Sequence, residues 1–215
     1  GNVSVSINRQ EREVRIEDNG QGIPTEEVAA RLLNIADSPK DGISTAGQFG
    51  IGRLVGAGYC RRLVFETSVK GEKIKTRLEL DVDFVENVLR DSSNDSSANE
   101  LMDAATQLKR SAEKEEAHYF KVFLEDIKPD YDQLLDEELV TDYLKEVAPI
   151  DFSLPFKSRY YNAIEEEYKP YSNGLSYVNI SVNQQNDIRK RYGLKIEGTE
   201  DTIEDLECFI IKDDK

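Results

Sequence analysis

Two groups of glycines, the first directly after an aspartate, constrain what this chain can fold into. Gly20 and Gly22 follow Asp18 in the segment EDNGQGIP, and the second group lies in GQFGIGR, residues 47–53. Glycine permits backbone angles and close approaches that other residues do not. A segment of helical character separates the groups, so the chain makes two special turns with a helix between them.

The residues before the first glycine group are predicted to form a β-hairpin. Apolar and polar residues alternate over residues 3–7 and again over residues 14–16, with the turn sequence NRQERE between them. A period of two indicates strands, and the hairpin is predicted to end at Asp18. Pro24 and Thr25 then begin a helix. Its apolar face consists of Val28, Leu32 and Ile35.

Further along, the pattern predicts a short helix at RLVGAG, two strands joined by a turn at Lys70 and Gly71, and a strand over residues 118–127. An amphipathic helix with an acidic outer face follows. Its apolar positions are Leu135, Leu139, Tyr143, Leu144 and Val147. The polar segment 91–117, serine-rich and then helical and charged, is expected to be a solvated surface insertion.

The two glycine groups suit the two ends of a nucleotide. The Asp18 carboxylate can accept a hydrogen bond from an exocyclic amine such as that of adenine, and Gly22 lets a flat base approach the backbone. Consecutive amides over residues 47–52, just before a helix, can bind an anion such as a polyphosphate. Each group alone also fits an ordinary structural role, a turn for DNGQG and close packing of a helix start for GQFGIG.

Other nucleotide motifs are absent from the sequence. There is no Gly-x-x-x-x-Gly-Lys-Ser/Thr phosphate loop, and Gly50-Ile51-Gly52 lacks the third glycine of a dinucleotide fingerprint.

Taken in order, DNGQGIP and GQFGIG resemble the second and third nucleotide boxes of the GHKL ATPases (gyrase, heat-shock chaperone, histidine kinase and MutL), which bind ATP in the Bergerat fold. GQFGIG is most similar to the ninety-kilodalton heat-shock chaperones. HYFKVFLEDI followed by LLDEELVTDYLKEVAPIDFSLPF resembles the strand and helix that close the chaperone ATP domain. The resemblance covers about the first 157 residues. It implies an α+β fold, a Bergerat-type α/β sandwich with a mixed, mainly antiparallel sheet and helices on one face.

The resemblance also assigns the site. Asp18 would bind the adenine amine, with Gly20, Gly22 and Ile23 beside the base, and residues 37–46 would form the lid. The cofactors implied are ATP or ADP with Mg²⁺, whose protein ligands stay unknown. The phosphate contacts implied are Lys40, Gly47, Gln48, Phe49, Gly50, Ile51, Gly52 and Arg53.

Some of these assignments leave alternatives open. Lys40 could be an exposed loop lysine and Arg53 a surface ion pair. The family's Gly-Thr pair on the late strand is Ala117-His118 here, and His118 is either a nucleotide contact or a strand residue.

The family's first box is a helix before the hairpin that carries an acidic general base and a metal-binding Asn. Residues 1–17 contain no counterpart, so we expect an N-terminally truncated domain with no catalytic residue of its own and very slow hydrolysis. We expect the whole protein to be an ATPase. The predicted units are an ATP-binding domain over residues 1–157, and a connector with the start of a second α/β unit of the middle or transducer kind over residues 158–215.

The net charge, apolar runs and cysteine content indicate which partners and which cellular location to expect. The chain has 43 acidic and 28 basic residues, a net charge of −15, which disfavours nucleic acid and anionic lipid. No apolar run reaches the length of about 20 residues that a membrane span needs. Cys60 and Cys208 do not form a disulfide framework, so we expect a reducing, cytoplasmic location.

The leading hypothesis is an ATP-operated clamp of the chaperone-like branch, with client proteins as partners and a homodimer formed through domains outside this chain. One alternative is a nucleic-acid-associated ATPase of the microrchidia or MutL kind. The other is a degenerate, non-enzymatic interaction module.

Overall fold

The structure is a computed structural model. It describes residues 1–33, 52–91, 95, 97–152, 177–185, 188–190, 194–195 and 202–203.

A seven-stranded sheet forms the body of the described chain. Its strands are β1 (Asn2–Asn8), β2 (Glu13–Asp18), β3 (Cys60–Ser68), β4 (Ile74–Asp81), β5 (Thr106–Ala112), β6 (Tyr119–Ile127) and β7 (Asn179–Val182). They lie side by side in the order β5-β4-β3-β6-β2-β1-β7. Every neighbouring pair is antiparallel except β1 and β7, which are parallel. A separate two-stranded sheet pairs β8 (Leu194–Lys195) with β9 (Thr202–Ile203).

The strand registers place the apolar residues on one side of the sheet. Leu63 lies opposite both Leu80 and Leu124, and Val5 lies beside Val182, so these side chains share one face. They belong to a single buried cluster. We call this side the helix face and the opposite side the polar face.

The helices pack against the helix face and contribute the remaining side chains of that cluster. They are α1 (Val28–Leu33), α2 (Val82–Arg90), α3 (Ala98–Ala105) and α4 (Glu137–Val147), with 3₁₀ helices at Gly52–Gly58 and Pro129–Leu135. The side chains that they bury in the cluster include Val28, Leu32, Val82, Met102, Ala105 and Leu135. The predicted fold class, an α/β sandwich with a mainly antiparallel sheet, is confirmed.

Side-chain caps fix where these helices begin. Asp81 accepts the amide N–H of Phe84 at the start of α2, and Asp136 accepts two amides at the start of α4. Ser97 and Glu100 form a reciprocal capping box at the start of α3. Each cap satisfies amides that have no partner inside the helix.

The segment 91–117 differs from the expectation. Residues 98–105 are helical, but residues 106–112 form β5, which pairs along its length with β4. Leu101 and Met102 are buried. The predicted helix is thus present at residues 98–105 but is partly buried, and residues 106–112 form an exposed edge strand instead of a helix, because a strand with charged side chains can still add to a sheet edge.

β7 lies within residues 158–215, the span predicted to hold a connector and the start of a second unit, and it belongs to the main sheet. β7 pairs with β1, and its residues Ile180 and Val182 are buried in the common cluster. Asn183 extends the attachment, since its side chain both accepts from and donates to the backbone of Ile7. Residues 153–176 lie outside the described chain, and the domain division at residue 157 stays a prediction.

The polar face carries a network of ion pairs. The Phe123 ring lies between the guanidinium groups of Arg15 and Arg77, 5.6 and 5.2 Å from its centroid. Arg77 also donates to Glu79 and to Glu125, each at 2.8 Å. Charged side chains thus pack against one another on the face opposite the one against which the described helices pack.

No helix in the described part of the chain combines the length and apolar character needed to cross a bilayer.

Candidate functional site

Asp18 is the last residue of β2 and begins a tight turn. Its Oδ1 atom accepts a hydrogen bond of 2.7 Å from the amide of Gly20. Among the described residues, none donates a hydrogen bond to Oδ2. The register places Asp18 beside Phe120 and Val3 on the helix face. One carboxylate oxygen therefore shapes the turn while the other is free to accept a ligand donor.

Gly22 brings the same loop against the end of β3. Its φ angle is +74°, and a Cβ atom built there would lie 2.2 Å from the carbonyl oxygen of Ser68 and 3.0 Å from Oγ1 of Thr67. No side chain fits in that space. The sequence predicted that Gly22 lets a base approach the backbone. In the structure, the missing side chain of Gly22 lets the loop approach the end of β3.

Thr67 holds the loop after Gly22. The amide of Ile23 donates a 2.8 Å hydrogen bond to Oγ1 of Thr67, whose hydroxyl donates to the carbonyl oxygen of Tyr119 at 3.0 Å. Thr67 is buried. Sequence reasoning missed this residue, because Thr67 belongs to no motif and a threonine at a strand end is not distinctive.

His118 reaches the loop from the other side. Its Nδ1 atom lies 2.9 Å from the carbonyl oxygen of Gly20. Since a carbonyl only accepts, the Nδ1 nitrogen carries the hydrogen. The His118 ring therefore contacts the backbone of the Asp18 turn, and a contact between His118 and nucleotide stays a prediction.

The start of the following helix is fixed from the β3–β4 turn. The hydroxyl of Thr25 donates to Glu72 at 2.8 Å, and the hydroxyl of Thr76 lies 3.2 Å from that of Thr25. The loop of residues 18–25 is thus anchored at both ends.

A cavity of about 480 Å³ opens beside the turn. Its wall includes Asp18, Asn19, His118 and Tyr119, together with polar residues of β1 and β2. The Tyr119 hydroxyl donates to Glu113 at 2.9 Å, and burial followed by this bond raises the pKa of Tyr119, which keeps the hydroxyl neutral. The polar residues of β1 and β2 and Tyr119 face the polar side of the sheet, so most of this cavity lies on that side, whereas the Asp18 side chain projects on the helix face.

The predicted phosphate contacts are largely not described. Lys40, Gly47, Gln48, Phe49, Gly50 and Ile51 lie outside the described residues, as does the lid over residues 37–46. Gly52 and Arg53 begin the 3₁₀ helix Gly52–Gly58. The separation between the Asp18 turn and the phosphate loop stays a prediction.

The residues present fit the base end of a nucleotide better than a metal. The Oδ2 atom of Asp18, on the helix face, has no partner among the described residues and suits an amine donor. The described ranges contain no cluster of three or more His, Cys, Asp or Glu side chains arranged to hold a metal ion. The participation of Mg²⁺ stays a prediction.

Comparison with known proteins agrees with this geometry. No curated protein matches the chain. The model of the family described as "Histidine kinase-, DNA gyrase B-, and HSP90-like ATPase" matches residues 1–114, more than half of the 215 residues. The match spans both glycine groups and the strands β1 to β5. The chain therefore belongs to the histidine kinase-, DNA gyrase B- and HSP90-like ATPases, the GHKL family, whose domains bind ATP.

Proposed function

We propose that this chain is the ATP-binding domain of a clamp-type ATPase of the HSP90-like branch, and that Asp18 binds the exocyclic amine of adenine. The observation that carries the proposal is the Asp18 carboxylate, which uses Oδ1 for the amide of Gly20 and leaves Oδ2 without a partner among the described residues.

The same carboxylate sets the base preference. An ionised carboxylate only accepts hydrogen bonds, and adenine offers an amine where hypoxanthine and guanine carry a carbonyl oxygen. A carbonyl facing Oδ2 would place two acceptors together. The site should therefore prefer adenine nucleotides to those of inosine or guanosine.

The phosphates are assigned to the second glycine group. Residues 47–52 precede the 3₁₀ helix Gly52–Gly58, so their amides can form the anion site that the family motif implies. Arg53, directly after it, is the cation proposed to contact a phosphate, and Lys40 is the cation proposed within the lid.

The HSP90-like branch is supported by the motif GQFGIG and by the closing elements. The strand β6 and the helix α4 follow one another as they do in that branch. In a clamp, nucleotide closes the lid and closure changes how the following segments pack. Client proteins, and a homodimer through other domains, belong to this proposal.

Calorimetric titration of the chain with ADP, ATP and inosine diphosphate tests the base site. We expect adenine nucleotides to bind and inosine diphosphate to bind at least tenfold more weakly. D18N keeps the volume and the turn but loses the charge, so ADP binding should weaken about 10- to 100-fold, as expected for a charge-assisted hydrogen bond. D83N, an exposed carboxylate on α2, is the matched control and should bind ADP as the parent does.

Hydrogen exchange tests the clamp. Amides of the 3₁₀ helix Gly52–Gly58 should exchange more slowly with ATP than with ADP, because only ATP carries the third phosphate that holds a closed lid.

Equal binding of ADP and inosine diphosphate in the calorimetric titration would refute the base assignment. Binding with identical exchange in ATP and ADP would instead favour a module that holds nucleotide without acting as a clamp.

A further inference from the structure

Helix α4 exposes an apolar row on the side that faces away from the sheet. Leu139, Tyr143 and Val147 are 55%, 63% and 55% exposed. Residues at positions i, i+4 and i+8 lie above one another on one side of a helix. The sequence predicted an amphipathic helix with an acidic outer face; the helix and the exposed acidic residues are present, but these three residues of its apolar set are exposed rather than buried.

The helix is already anchored through its other side. Val140 and Leu144 pack against the core cluster, and Thr141 is buried. Glu137 accepts a 2.8 Å hydrogen bond from the side chain of Asn183. Because these contacts fix the rotation of α4, the exposed row cannot turn inward without breaking them.

An acidic row borders the apolar one. Glu138, Asp142 and Glu146 precede the three apolar residues by one position each and are exposed. Asp142 pairs with Lys145 at 2.7 Å, so the flank keeps a net negative charge. Single exposed apolar residues are ordinary, but a row of three beside a charged row is typical of a contact surface.

We propose that this surface, the apolar row Leu139, Tyr143 and Val147 with its acidic flank, docks an amphipathic helix of another protein that carries Lys or Arg beside its apolar row. A helix laid along α4 would cover the apolar row and place its basic flank against Glu138 and Glu146. Tyr143, at the centre of the row, is the expected anchor, since tyrosines dominate the energy of such interfaces.

Charge disfavours two other occupants of this surface, a membrane and an antiparallel second copy of α4. A helix that lies on a membrane carries Lys and Arg beside its apolar side, and this flank is acidic. Two copies of α4 packed antiparallel about a twofold axis would bring their acidic rows together, in a chain of net charge −15.

Fluorescence anisotropy with two synthetic helical peptides of about 18 residues, some 27 Å long, tests the proposal. Both carry the same row of leucines, one flanked by lysines and the other by glutamates. The 215-residue chain should bind the lysine peptide at least tenfold more tightly than the glutamate peptide. Y143E should weaken binding of the lysine peptide at least tenfold. L89E, at an apolar position on α2 that is 71% exposed, is the matched control and should not weaken it.

Charge reversal separates this surface from the general acidity of the chain. The variant E138K/E146K should prefer the glutamate peptide, and circular dichroism should show unchanged helix content. The proposal is overturned if the parent chain binds neither peptide, if Y143E binds as the parent does, or if the double reversal keeps the original preference. Sedimentation that shows a dimer abolished by Y143E would assign the surface to a second copy and would also overturn it.

Discussion

The amide of Ile23 donates a 2.8 Å hydrogen bond to the buried Oγ1 atom of Thr67, which ties the loop after Asp18 to the end of β3. The same hydroxyl donates to the carbonyl oxygen of Tyr119. One side chain therefore joins the loop to two strands, β3 and β6.

T67V should destabilise the fold and weaken adenine nucleotide binding together. Valine keeps the shape but removes the acceptor of the half-buried Ile23 amide and the donor to the buried Tyr119 carbonyl, which costs about 1–3 kcal/mol. Denaturant unfolding measures the loss, and calorimetry with ADP measures binding. T67S keeps the hydroxyl and should recover most of both properties. If T67V lost stability while its folded fraction bound ADP normally, Thr67 would not position the base loop.

G22A should be among the most damaging single substitutions in the chain. The new methyl group would lie 2.2 Å from the carbonyl oxygen of Ser68, at a φ angle of +74°. The left-handed angle alone costs about 1–2 kcal/mol, and the clash adds to it. We expect a loss above about 3 kcal/mol, or failure to fold.

G71A separates the two contributions to that loss. Gly71 also has a positive φ angle, +95°, but its Cβ direction meets no atom within 4 Å. This control should therefore lose only the cost of the backbone angle. Equal losses for G22A and G71A, measured by thermal or denaturant unfolding, would show that the contact with Ser68 is unimportant.

The sequence predicted the parts of this site that depend on local pattern. The alternation of apolar and polar residues predicted the hairpin that ends at Asp18. In the structure β1 and β2 pair as antiparallel neighbours, with Val3 opposite Asp18. The turn at Gly71 and the strand β6 were also predicted correctly. Local pattern could not predict the role of Thr67 or the placement of β7 beside β1. The contact between Ile23 and Thr67 spans 44 positions of the sequence, and the contact between Ile7 and Asn183 spans 176 positions.

The rotation of α4 shows a second limit. Its sequence offers apolar residues on two sides, Val140 with Leu144 and Leu139 with Tyr143 and Val147, and periodicity does not rank them. In the structure the side with Val140 and Leu144 packs against the core cluster. Leu139, Tyr143 and Val147, which periodicity placed in the same apolar set as Leu144, therefore lie on the surface.

Glu79 should make stability depend on pH in the acid range. A hydrogen bond from Arg77, and then one from Lys109, lower the pKa of Glu79. A carboxyl group with a lower pKa in the folded state stabilises above its unfolded pKa, and that stability is lost as pH falls through the folded value. E79Q should therefore lose about 0.5–1 kcal/mol at pH 7, the scale of a solvent-screened pair, and less below about pH 4.

Glu13 on the same face should show the opposite sign. Burial, and then the charge of Glu125, raise the pKa of Glu13. Its contribution is present below the unfolded pKa and is lost as pH rises through the folded value. E13Q should gain stability relative to the parent as pH rises from 4 to 7, whereas E79Q loses it. Urea unfolding across that range measures both, and equal slopes for the two variants would contradict the assignment.

Cys60 should be inert in the folded chain. The side chain is fully buried, its thiol donates to the carbonyl oxygen of Gly56 at 3.3 Å, and burial raises the pKa of Cys60 to about 12. The thiolate is the reactive form, so almost none is present at pH 8. In a C208S variant, which leaves Cys60 as the single thiol, mass spectrometry should show alkylation by iodoacetamide only on the unfolding timescale. Urea should accelerate it steeply, and rapid labelling at pH 8 without urea would mean that the start of β3 opens more readily than its burial implies.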